Sequence, residues 1–88
     1  MIAETEKEII RDCAKKYNVK SVFLFGSSLE EEDGRDIDLA VEGIKPGLFF
    51  KLYADLFKRL SRPVDLVDLS AQSMFCNLII ESGLKIYG

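Results

Sequence analysis

Three aspartates, Asp36, Asp38 and Asp65, have the types and spacing that could do chemistry in this chain. In Asp36-Ile37-Asp38-Leu39-Ala40-Val41 the two acids alternate with apolar residues. Successive side chains of a strand point to opposite faces, so Asp36 and Asp38 share one face while Ile37, Leu39 and Val41 take the other. Carboxylates side by side repel each other unless something neutralises them. A divalent cation does this well, and hard oxygen ligands suit Mg²⁺. Pro63-Val64-Asp65-Leu66-Val67-Asp68-Leu69 reads as a second such strand. If Val64 and Leu66 face the core, Asp65 faces the same way as the first pair. Asp68 then falls on the core-facing parity at the strand's end, where a cap or turn role is expected. Three carboxylates on one sheet face can hold one or two Mg²⁺ ions, the arrangement that clamps the oxygens of a phosphoryl or nucleotidyl transfer. Upstream, the strand-like run Ser21-Val22-Phe23-Leu24-Phe25 ends on Gly26-Ser27-Ser28. Gly26 has no Cβ, so backbone can approach a phosphate closely there. Ser27 and Ser28 can offer hydroxyl and backbone N–H groups to its oxygens.

The elements that must position these residues follow from periodicity. Residues 2–17 read as a helix through Ile2, Ile9, Ile10, Cys13, Ala14 and Tyr17, with Asn18 as its stop. Strands follow at 20–25 and 36–42, separated by a loop with one helical turn at Leu29–Asp33. Leu48, Phe49, Leu52, Tyr53, Leu56, Phe57 and Leu60 make an apolar stripe over a helix at 47–61, with Phe49, Tyr53 and Phe57 expected in the core. Lys51, Lys58, Arg59 and Arg62 then form a solvated face. Pro63 ends that helix and opens the strand 63–69. A last helix is predicted at 71–82, capped by Ser70, with Met74, Phe75, Leu78 and Ile79 as its stripe and Gly83 as its C-terminal stop. Leu84–Tyr87 adds a short fourth strand. The order αββαβαβ predicts an α+β fold, a small mixed sheet backed by helices. The helices would cover the Ile37/Leu39/Val41 face and leave the aspartates in an open cleft.

Composition narrows the function classes. Eighty-eight residues predict a single domain over 1–88. A chain of that length buries roughly 60–65% of its unfolded surface, so its stability margin is thin. The net charge of −3 argues against broad nucleic-acid binding, which needs a basic face. No apolar run approaches the roughly 18 residues of a membrane span, and the acidic N-terminus has no signal-peptide character, so a cytoplasmic setting is expected. Cys13 and Cys76 read as buried reduced thiols. With no His in the chain, Ser–His and Cys–His nucleophile pairs are excluded.

Gly26-Ser27, an eight-residue spacer, Asp36-Ile37-Asp38 and the later Asp65 together resemble the signature of the minimal nucleotidyltransferases (MNT type) of the polymerase-β-like superfamily. The closing Glu81-Ser82-Gly83-Leu84-Lys85-Ile86-Tyr87-Gly88 is similar to that family's C-terminal helix–strand. The resemblance implies a polymerase-β-like nucleotidyltransferase core. It implies a Mg²⁺-dependent reaction in which Asp36, Asp38 and Asp65 hold metal and Gly26, Ser27 and Ser28 hold the phosphates of ATP or another NTP. It also implies a setting: such proteins act as antitoxins beside a small helical HEPN-type toxin and can attach AMP to one of its tyrosines. The spacer departs from the family's habit. It carries four consecutive acids, Glu30-Glu31-Glu32-Asp33, and its only base, Arg35, comes last. That favours the alternative, a catalytically silent protein of the same fold that neutralises a partner by binding alone. Aminoglycoside-type transferases share such a core but carry a further substrate domain.

Overall fold

A computed structural model describes residues 2–26, 36–71 and 73–88. The expected roles of Ser27 and Ser28 and the expected turn at Leu29–Asp33 lie outside them. The elements are α1 (Glu4–Lys16), β1 (Ser21–Leu24), β2 (Ile37–Glu42), α2 (Phe49–Arg59), β3 (Val64–Asp68), α3 (Met74–Ser82) and β4 (Leu84–Tyr87), with a 3₁₀ turn at Pro46–Leu48 leading into α2. The order matches the sequence pattern, and each boundary falls within three residues of the predicted one.

Helix α1 ends where Asn18 takes a left-handed φ of 56°, a conformation Asn tolerates better than most residues. Its N–H then reaches the Lys15 carbonyl and that of Val19 reaches Ala14, closing the last turn. The four strands form one mixed sheet in the order β3-β2-β1-β4. β1 pairs antiparallel with β2 and β4, and β2 pairs parallel with β3. A parallel pair needs a long crossover, and α2 supplies it.

Helices α1 and α2 lie on one face of the sheet. Ile10, Cys13 and Ala14 of α1 and Leu52 and Leu56 of α2 meet Val22, Leu24, Ile37, Leu39, Val41, Val64 and Leu66 in the main core. Lys51, Lys58 and Arg59 of α2 are exposed, as the pattern suggests, and Arg62 just past the helix is half-buried. Arg59 reaches Asp12 at 2.7 Å and Arg62 reaches Glu6 at 3.1 Å, so the helix is tied by charge to α1.

Helix α3 departs from expectation. It crosses the other face, where Cys76 and Ile79 pack with Phe23, Ala40 and Leu69 in a separate small core. The predicted stripe is therefore turned outward: Met74, Phe75 and Leu78 are exposed, and of its four members only Ile79 is buried. The cap also differs. Ser73, not Ser70, accepts the hydrogen bond from the Cys76 N–H at 3.1 Å. Gly83 ends the helix in extended backbone, not left-handed. A Cβ there would lie 2.6 Å from the Ile79 carbonyl and 3.0 Å from that of Leu24, so the glycine answers to space. On α2, Leu52, Leu56 and Leu60 occupy the core, Phe49 and Tyr53 its margin, and Phe57 is exposed.

Candidate active site

The face of the sheet that bears α3 also bears the aspartates. Asp38 and Asp65 are direct partners in the parallel β2–β3 ladder. Neighbouring strands run roughly 4.8 Å apart, so the two carboxylates leave adjacent backbones in the same direction. On the other side of Asp38, the Phe25 N–H donates to the Asp38 carbonyl at 3.0 Å, extending the β1–β2 pairing by one residue. Phe25, Asp38 and Asp65 therefore form one row across three strands. Asp38 is half-buried in this row and Asp65 is exposed at its end.

Gly26 follows Phe25 and turns the chain away with a φ of 66°. Few residues other than glycine adopt that angle without strain. A Cβ at this position would lie 2.7 Å from Asp38 Oδ2. The turn predicted at Gly26 and the carboxylate predicted at Asp38 thus pack directly against each other, an approach that only the absence of a side chain at Gly26 allows.

Asp36 stands one residue before β2 and is exposed; its neighbour Ile37 is held by a hydrogen bond from its N–H to the Pro63 carbonyl at 2.8 Å. Among the described residues, no group of three or more acidic or thiol side chains gathers closely enough to hold a metal ion. The arrangement brings Asp38 and Asp65 together and leaves Asp36 at the margin. Asp38 and Asp65 are the hard-oxygen donors that would hold a cation such as Mg²⁺ beside the glycine turn. Asp68, on the opposite parity, accepts from the Ser70 N–H at 2.9 Å and closes a turn.

Two rings complete the row. Phe25 is half-buried, and Phe75 of α3 stands edge-on to it, with centroids 6.0 Å apart and planes at 83°. Periodicity placed Phe75 in the core; only the side on which α3 docks brings it here, and no local signal in the sequence carries that information.

A family model described as polymerase beta, nucleotidyltransferase, matches residues 7–88. A comparison with curated proteins finds no match. Among solved structures, the chain is similar to one in the crystal structure of the toxin–antitoxin MntA–HepT, with a TM-score of 0.74, 25% identity and coverage of 98% of this chain and 73% of that one. It is similar to a chain of a toxin–antitoxin structure with AMP-PNP, with a TM-score of 0.75 and 28% identity, over 93% of this chain and 73% of that one. A third likeness, to a protein from Shewanella oneidensis at 23% identity and a TM-score of 0.74, covers 97% of this chain and 71% of that one and concerns the fold alone. The paired aspartates, the glycine turn set against them and a family match that spans nearly the whole chain lead to one conclusion: this chain belongs to the polymerase-β nucleotidyltransferase family, and MntA–HepT toxin–antitoxin pairs are among its structural neighbours.

Proposed function

We propose that the chain is an antitoxin that transfers AMP from ATP to a hydroxyl, a tyrosine of a small helical HEPN-type toxin. The observation that carries this reading is the ladder pair Asp38 and Asp65 with Gly26 turned against Asp38 Oδ2. The toxin–antitoxin neighbours support it, one of them a structure with AMP-PNP.

Asp38 and Asp65 would hold Mg²⁺, with Asp36 reaching in from the margin. When bound, the metal would neutralise charge on the triphosphate and make its α-phosphorus more electrophilic. Gly26 lets the chain close on the β- and γ-phosphates, with Ser27 and Ser28 as their donors. Asp65, the more exposed carboxylate, meets the arriving hydroxyl and accepts its hydrogen bond. The acceptor oxygen bonds to the α-phosphorus, the bond to the bridging oxygen breaks, and pyrophosphate leaves. The hydroxyl proton passes to the carboxylate and then to water.

The acidic run Glu30-Glu31-Glu32-Asp33 favours a second reading, neutralisation by binding alone, because acids beside a triphosphate repel it. Calorimetric titration of ATP with Mg²⁺ separates the two. The wild type should bind and an Asp36→Asn/Asp38→Asn double variant should not. Equal binding by both would remove the aspartates from the site, and no binding by either would favour the silent reading.

A further inference from the structure

We propose that the exposed ring of Phe75 is the platform on which the base of the bound nucleotide stacks. This rests on the nucleotide reading above and adds to it the residue that receives the base.

Phe25 and Asp65 flank Asp38 on one face, and Phe75 stands edge-on to Phe25. The row therefore runs from paired carboxylates, across one interstrand spacing of roughly 4.8 Å, to an aromatic pair. A nucleoside triphosphate has the same order: a polyanion, a ribose of comparable span, and a flat apolar base. Phe75 is 53% exposed although Cys76 and Ile79 of the same helix are buried to 5% and 2%. The ring is not loose, because its edge-to-face contact with Phe25 fixes its tilt. It is thus an oriented aromatic surface, half in water, beside the turn at Gly26. Every nucleobase has a π-face, so stacking on such a ring adds affinity and chooses little between bases.

The test uses MgATP, MgGTP and magnesium tripolyphosphate, which has the phosphates and no base. Phe75→Ala should weaken both nucleotides by about tenfold or more, the scale of one base–aromatic contact. Tripolyphosphate binding should not change. Phe75→Leu keeps an apolar side chain and should lose as much as Phe75→Ala, whereas Phe75→Trp should retain affinity. The chain has no Trp, so Phe75→Trp also carries a single indole. MgATP should quench its fluorescence and tripolyphosphate should not. Wild-type affinity for MgATP in Phe75→Ala, or an indole unmoved by saturating MgATP, overturns the proposal while the nucleotide reading stands. A wild type that binds none of the three ligands overturns both. Unchanged melting of each variant in the absence of ligand separates loss of stacking from loss of fold.

Discussion

Replacing Gly26 with Ala tests the link between turn and carboxylate in one step. The φ of 66° costs a non-glycine residue about 1–2 kcal/mol. The new Cβ would meet Asp38 Oδ2 at 2.7 Å, and an ordinary contact begins at 3.4 Å, so the carboxylate must retreat by about 0.7 Å. That movement falls on the terminal oxygen of a side chain and leaves the backbone in place. It is costly for function: a displacement of about 1 Å at a reacting centre can lower rate about a hundredfold. Gly43 is the control. Its φ is 81° and its Cβ would lie 2.7 Å from that of Lys20, past the far end of β2. Urea unfolding should show a loss of about 1–2 kcal/mol in Gly26→Ala and a larger one in Gly43→Ala, whose Cβ meets the Cβ of Lys20 and lies 3.1 Å from its backbone nitrogen. MgATP calorimetry should show an affinity loss of about tenfold or more in Gly26→Ala and none in Gly43→Ala. Equal affinity in the two variants, whether kept or lost, would refute the placement of Gly26 against the site.

Two further outcomes follow from the packing. Ser73→Ala should destabilise the protein by about 1 kcal/mol through loss of the cap on the Cys76 N–H, while Ser70→Ala should stay within about 0.5 kcal/mol of wild type by urea unfolding. Glu6 adds a pH dependence: burial raises its carboxyl, but Arg62, the Ala3 N–H and the Ser61 hydroxyl lower it further, leaving it below its ordinary 4.5. A carboxyl lowered by folding adds stability above its unfolded value and loses it as pH falls through the folded one. Wild type should therefore lose more stability than Glu6→Gln as pH drops from about 6 to about 3, and parallel curves would show that the ion pair contributes nothing.

Most of the fold was legible because each strand carries its own punctuation. Gly26, Gly43 and Pro63 bracket the strands, and Asp38 alternates with Ile37 and Leu39, so the face of the acid follows from parity alone. The pairing of Asp38 with Asp65 is less local, since parity gives a face and not a register. Helix α3 was the least legible element. From Met74 to Ile80 only Asn77 is polar, so the apolar pattern has no phase and cannot say which side is buried. The core selected Cys76 and Ile79. On α2 the apolar stripe was wider than the space available, and the leucines took its centre at the expense of Phe57.

The two paired carboxylates have unequal anchorage. β2 is bonded on both sides, to β1 and β3, whereas β3 ends the sheet. Asp38 is thus the fixed jaw of a vice and Asp65 the movable one. Were the pair to hold a cation, the gap between them would adapt to its radius more readily through β3, whose outer edge pairs with no further strand among the described residues. Substitutions along β3 should accordingly tune which cation fits, while the same changes along β2 would strike at the sheet itself.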